Sequence, residues 1–219
     1  MGIARTIVAI DGPAASGKSS AARMLASRLR LDYVNSGLMY RAVTWWMLRQ
    51  GGDPSDPFSV MALIPAMRIE CGLEAGTATI RIAGDDPGPA LCAEEVNQNV
   101  SAIAAIPAVR ELLVARQRDY AAGGGSLVME GRDIGSVVFP ETPYKFYIDA
   151  SPEVRARRRA LQGQRDSIAE RDRADSSRNT SPLTIAGDAH VIDSSRLTID
   201  GVVGEIIGRL KMKGMEVPA

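Results

Sequence analysis

Aromatic side chains are scarce in this 219-residue chain, at 5%, which argues against a platform of rings for stacking nucleobases. Cysteine is scarcer still. Cys71 and Cys92 have no metal-ligand spacing, and the expectation is two buried, reduced thiols in a cytoplasmic protein. Neither sign of charge is in excess: 26 basic residues offset 26 acidic ones, so no overall field draws the chain to nucleic acid or an anionic membrane. No apolar run approaches the roughly 20 residues that span a bilayer. The opening Met1-Gly2-Ile3-Ala4-Arg5 lacks signal-peptide character. Lysine is also rare, 4 residues against 22 arginines. That bias reflects either the base composition of the gene or a need for bidentate anion recognition. The rest is ordinary globular composition, 45% hydrophobic and 24% charged, in a length that suits one large domain or a core with an inserted lobe.

The continuous apolar run Ile7-Val8-Ala9-Ile10 predicts a strand buried on both faces. Ala22, Leu25, Ala26 and Leu29 recur at helical spacing and predict a helix from Lys18 to Arg30. A short strand at Tyr33-Val34 and a helix from Leu38 to Gln50 follow, the latter stopped by Gly51-Gly52. The rhythm then changes. Met67 to Leu73 and Thr77 to Ile82 alternate around Gly76 and predict an antiparallel hairpin. Helices are expected over Ala93 to Ile103 and Pro107 to Tyr120. Strands at Leu127 to Met129, Lys145 to Ile148 and His190 to Ile192 alternate with helices at Pro152 to Gln162 and Thr198 to Lys211. Ser151 is the expected cap of the first of these. Strands separated by helices imply an α/β fold with a parallel sheet covered on both faces. The hairpin, within about residues 64–104, reads as an insert. His190 and the pair Trp45-Trp46 are expected to serve packing.

Gly12-Pro13-Ala14-Ala15-Ser16-Gly17-Lys18-Ser19 matches the phosphate-binding pattern G-x-x-x-x-G-K-[ST] in full, between a predicted strand and a predicted helix. Such a loop turns backbone N–H groups around phosphate oxygens, and the helix start adds partial positive charge. Lys18 can reach the β- and γ-phosphates, and the Ser19 hydroxyl can ligate Mg²⁺. Nucleoside triphosphate binding is therefore expected, with the fate of the γ-phosphate left open.

Three further groups suggest an acceptor that itself carries phosphate. Ser36-Gly37-Leu38-Met39-Tyr40-Arg41 sits where a loop enters a helix, as either a second anion site or a plain helix cap. Gly131-Arg132-Asp133 follows a parallel strand, where ligand clefts open. Arg171, Asp175 and Arg178 lie four and three residues apart in a very polar stretch, so a helix would group them on one face of a closing loop. Read alone, that stretch is equally a solvated loop. Arg155-Ala156-Arg157-Arg158-Arg159 reads mostly as solvated helix surface, with one arginine turned towards the triphosphate. No apolar strand ending in a metal-binding Asp is evident, which counts against a nucleotide-regulated switch or a nucleic-acid ATPase. Another small-molecule kinase of adenylate or shikimate type stays open.

Taken together, Gly12 to Ser19, Ser36-Gly37 with Tyr40-Arg41, the segment Gly131 to Pro140, Arg171-Asp172 with Asp175 and Arg178, and Asp188 to Asp193 resemble the bacterial cytidylate kinases over nearly the whole chain. The resemblance implies an adenylate-kinase-like fold: a five-stranded parallel core (1–35 and 122–219), a lid near 160–180, and a monophosphate-binding lobe (36–121) with an antiparallel insert. It implies phosphoryl transfer from ATP to CMP or dCMP with Mg²⁺; separately, a monomer with no nucleic-acid or membrane partner is expected. Gly12 to Ser20 would hold ATP. Arg41, Arg132 and Arg178 would meet the acceptor phosphate beside Ser36 and Tyr40, and Ser101, Arg110 and Asp133 would frame the cytosine. Arg171 and Asp175 would make sugar and lid contacts, with Lys18, Arg132, Arg171 and Arg178 as the catalytic cations. Two departures stand out: Asn35 replaces the family's usual Asp, and the segment between Leu161 and Glu170 is shorter than the family's lid.

Overall fold

Seven strands form one sheet: Ile7–Asp11 (β1), Asp32–Asn35 (β2), Ile69–Glu74 (β3), Thr77–Ile82 (β4), Leu127–Gly131 (β5), Tyr144–Asp149 (β6) and His190–Asp193 (β7). The helices are Lys18–Leu29 (α1), Ser36–Arg49 (α2), Pro57–Leu63 (α3), Glu94–Ile103 (α4), Pro107–Ala122 (α5), Pro152–Leu161 (α6), Ile168–Ser176 (α7) and Ile199–Met212 (α8). The computed structural model describes residues 5–123, 125–161, 168–178 and 181–218.

The strand order is β3-β4-β2-β5-β1-β6-β7. The five strands from β2 to β7 are mutually parallel, as the alternation of strands and helices requires. Each central strand feeds two cores. Ala9, Leu127 and Met129 belong to the core under α2, α4 and α5. Val8, Ile10, Val128, Phe146 and Ile148 belong to the core under α1 and α8. Because side chains alternate along a strand, both faces of β1 and β5 must be apolar, which explains their unbroken hydrophobic runs.

Two features differ from the sequence reading. The hairpin β3-β4 forms in the expected antiparallel register, yet it also continues the core sheet. Its one link is the parallel pair Tyr33↔Thr77, with the Tyr33 amide donating to the Gly76 carbonyl at 2.8 Å. Helix α3 has no counterpart in the sequence reading. Its signal was Asp56-Pro57: the Asp56 carboxylate caps the amides of Phe58 and Ser59, and Pro57 opens the first turn.

The cysteines also correct an expectation. Cys71 is half-buried and Cys92 exposed, both as free thiols, because β3 is a sheet edge and Cys92 ends a short 3₁₀ turn. His190 is not a packing residue alone. It lies between Glu205 (2.9 Å) and Arg209 (3.1 Å). Trp46 is buried as expected, and Trp45 lies under the Arg49 guanidinium, 4.9 Å from it. Among the described residues, no helix is long and apolar enough to cross a membrane.

Candidate active site

Parallel strands end on the same edge of the sheet, so β1, β2 and β5 deliver their carboxyl ends to one cleft. The register puts Glu130 beside both Ile10 and Asn35, and Gly131 beside Asp11. The resulting cleft, about 240 Å³, is lined by Ala14, Ala15, Gly17, Lys18, Ser19 and Ser20 from the phosphate loop and α1. Ser36, Tyr40 and Arg41 of α2, Ser101 of α4 and Arg110 of α5 line it too, as do Arg132, Asp133, Asp175 and Arg178. Sequence-distant candidates thus share one space.

The phosphate loop is fixed from outside. Lys18 Nζ arches back to the Pro13 carbonyl at 3.0 Å. Arg155 donates to the Ala14 carbonyl (3.3 Å), while Arg158 (3.1 Å) and the Ser194 hydroxyl (2.7 Å) both donate to the Ser16 carbonyl. The arginine-rich helix α6 is therefore not mostly solvated surface. Arg155 and Arg158 brace the loop and Arg159 lines the cleft, leaving only Arg157 of the four as exposed surface. Gly12, Pro13 and Ser16 do not line the cleft but shape it. Gly12 has φ +152°, and a Cβ there would lie 2.1 Å from the Ile148 carbonyl oxygen. Gly12→Ala is accordingly expected to destabilise the protein by about 2 kcal/mol or more, a drop of roughly 4–8 °C in Tm, through backbone strain and overlap. A wild-type melting curve for that variant would refute the close packing of β6 against the loop.

On the opposite side, carboxylates pre-arrange the arginines. Asp133 and Arg110 form an ion pair with side chains only 5% and 3% exposed, and Arg110 also donates to the Ala104 carbonyl at 3.0 Å. The Arg110 guanidinium lies 5.5 Å from the Tyr40 ring centre. Burial pushes the Asp133 carboxyl up, against the pull of Arg110. Asp175 bridges two cations: Arg132 Nε donates to it at 2.8 Å, and Arg178 pairs with its other oxygen. Burial pulls Arg178 below the ordinary guanidinium range. For Arg132 burial pulls the same way, but the charges of Asp175 and Glu130 overcome it and hold the group above that range. The Nε donors of Arg110 and Arg178 are buried with no acceptor among the described residues, a costly state that an anionic or carbonyl-bearing ligand would relieve. Ser36 Oγ donates to the Glu130 carbonyl at 2.8 Å, and Arg41 donates to the Leu91 carbonyl at 2.8 Å. Asn35 caps α2 by accepting from the Leu38 amide at 3.3 Å, a role open to Asn and Asp alike. Arg171 falls in α7, but its side chain, like residues 162–167 on which the short-lid expectation rests, lies outside the described residues.

Asp11 and Glu130 carry no reading in the sequence, and Asp172 enters there only as part of the resemblance. Asp11 accepts the amides of Ile134 (2.8 Å) and Gly135 (2.7 Å), tying the Arg132-Asp133 turn to the phosphate loop. Burial pushes its carboxyl up to about 7 despite those bonds. Asp172 pairs with Arg155 and so joins α7 to the loop brace. Glu130 is the penultimate residue of β5, an acid near the end of an otherwise apolar strand. Among the described residues, no cluster of three His, Cys, Asp or Glu could hold a metal alone. Ser19 and Glu130 do both line the cleft, and their side chains carry a hydroxyl and a carboxylate. This hard-oxygen set fits Mg²⁺, which takes few protein ligands and completes its shell with phosphates and water.

The cytidylate kinase family model matches residues 8–212. The chain belongs to the cytidylate kinase family. A cytidylate kinase of Streptomyces griseus is 42% identical over 205 residues, covering 90% of this chain and 89% of that protein. One of Corynebacterium glutamicum is 43% identical over 212 residues, covering 92% of each. A bifunctional pantoate ligase/cytidylate kinase of Synechococcus sp. (strain WH7803) is 43% identical over 90% of this chain, which spans 43% of that protein. Among solved structures, a sugar kinase from Janibacter sp. HTCC2649 aligns with a TM-score of 0.45 at 13% identity, covering 94% of this chain and 95% of that one.

Proposed function

We propose that the chain transfers the γ-phosphoryl group of ATP to the 5′-phosphate of CMP or dCMP, yielding ADP and CDP or dCDP. The observation that carries this reading is the single cleft with the phosphate loop and Lys18 on one wall and Arg41, Arg132 and Arg178 on the other. Gly12 to Ser20 would cradle the ATP phosphates. An acceptor phosphate oxygen attacks the γ-phosphorus in line as the bond to the ADP oxygen breaks. That oxygen is already anionic, so positioning and charge neutralisation suffice and no strong general base is needed. Mg²⁺, when bound, neutralises phosphate charge; Ser19, with Glu130 through water, would hold it. Lys18, Arg132 and Arg178, with Arg171 from α7, would spread charge on the transferred group.

Asp133 and Arg110 support cytosine as the acceptor base, with Ser101 beside them. A carboxylate accepts from the cytosine amine but meets the uracil carbonyl as a second acceptor. Asp175 and Arg171 would hold the sugar. ADP release coupled to each nucleoside monophosphate in turn tests the reading: CMP and dCMP should be consumed, with UMP, AMP and shikimate far slower. Preference for AMP or shikimate would replace it with a sister kinase. Asp133→Asn is expected to shrink the ratio of kcat/KM for CMP over UMP at least tenfold, because an amide can donate to the uracil carbonyl. An unchanged ratio would remove Asp133 from base recognition.

A further inference from the structure

Glu130 closes β5, the strand between β1, which feeds the phosphate loop, and β2. Its side chain belongs to a residue only 2% exposed, yet it lines the cleft with Lys18 and Ser19. One carboxylate oxygen, Oε1, accepts a hydrogen bond from the Tyr33 phenol at 3.1 Å. Tyr33 stands on β2 and is itself 4% exposed, packed in the core under α1 and α8. The Arg23 guanidinium of α1 lies 5.4 Å from the centre of its ring.

The tyrosine hydroxyl is not needed for packing, since phenylalanine would fill the same space. A buried hydroxyl requires a partner, and here the partner is a carboxylate of the reaction cleft. With Oε1 held from behind, the carboxylate has its second oxygen to offer to the cleft. Its backbone is fixed too, because Ser36 Oγ donates to the Glu130 carbonyl.

We propose that Tyr33 is a positioning residue, whose hydroxyl aims Glu130 at the divalent cation that accompanies the bound triphosphate. The idea rests on the reading given under Proposed function, because it needs a Mg²⁺–nucleotide complex beside Ser19. Partners that orient a metal-binding carboxylate are worth about 10–100-fold in metal affinity when removed. The effect is confined to the cation, since Tyr33 makes no contact with the cleft of its own: it is absent from the lining residues.

Calorimetric titration of a non-hydrolysable ATP analogue at a series of Mg²⁺ concentrations tests this in the intact chain. Tyr33→Phe should raise the half-saturating Mg²⁺ concentration about tenfold while leaving analogue affinity without divalent cation unchanged. Glu130→Gln should raise it at least as much. The double variant should lose no more than Glu130→Gln alone, because the two groups act in series. Mn²⁺ electron paramagnetic resonance should show the same order of cation affinities. Wild-type Mg²⁺ dependence in Tyr33→Phe would overturn the assignment. So would an equal loss with and without cation, the mark of a merely structural tyrosine, and so would additive losses in the double variant. Failure of the underlying reading would appear separately, as wild-type analogue binding indifferent to Mg²⁺.

Discussion

Lys18→Ala is expected to lower kcat/KM by about 10²–10³, or roughly 3–4 kcal/mol of transition-state stabilisation, with most of the loss in kcat. The side chain is buried at the first turn of α1, and its ammonium group is held over the phosphate loop by the Pro13 carbonyl. It is thus placed before any ligand arrives, and no reorganisation is needed when charge spreads onto the transferred group. An interaction strongest during transfer shows in kcat rather than in KM. Steady-state kinetics on purified variant with a wild-type melting curve is the check. Turnover within a few-fold of wild type would take Lys18 out of the reaction.

Arg132→Ala should cost a similar factor, about 10²–10³ in kcat/KM, but with a different signature. Arg132 holds Asp175 through Nε at 2.8 Å, and its Nη1 makes only a long 3.5 Å contact with the Gly131 carbonyl, which leaves the outer edge of the guanidinium to offer an acceptor phosphate. Its loss removes the phosphate contact and one of the two arginines that pair with Asp175. The KM for CMP should therefore rise as kcat falls. Arg132→Lys should rescue poorly, because an ammonium group cannot present two faces in one plane as a guanidinium does. Near-normal turnover of Arg132→Ala would remove the acceptor-phosphate role.

Local patterns carried much of this architecture. The phosphate loop was legible because its glycines, lysine and serine are consecutive, and the parallel core because β1 and β5 show unbroken apolar runs. Ser36, Tyr40, Arg41, Arg132 and Asp133 were legible as strand-end or helix-start residues. Asp11 and Glu130 were not, since a lone acid at a strand end looks the same whether it faces solvent or a cleft; only the register of β5 against β1 and β2 distinguishes them. Arg155 and Arg158 were misjudged for the opposite reason. A run of arginines on a helix looks solvated until the loop it braces, more than a hundred residues earlier, is folded against it. Ser101 and Arg110 came into view through family resemblance alone, as nothing in their own helices sets them apart.

Asp175 and Asp133 have one more consequence. They give the arginine wall its own built-in counter-charge. Inorganic anions and nucleic-acid backbones in the cell therefore meet guanidinium groups that are already engaged, and displacing a buried carboxylate without replacing its hydrogen bonds is unfavourable. A molecule that brings a phosphate for the arginines, hydroxyls for one aspartate and an amine for the other exchanges every bond it breaks. Under the proposed function, selectivity for a whole nucleotide over its fragments would be a property of the resting protein, set before the second substrate arrives.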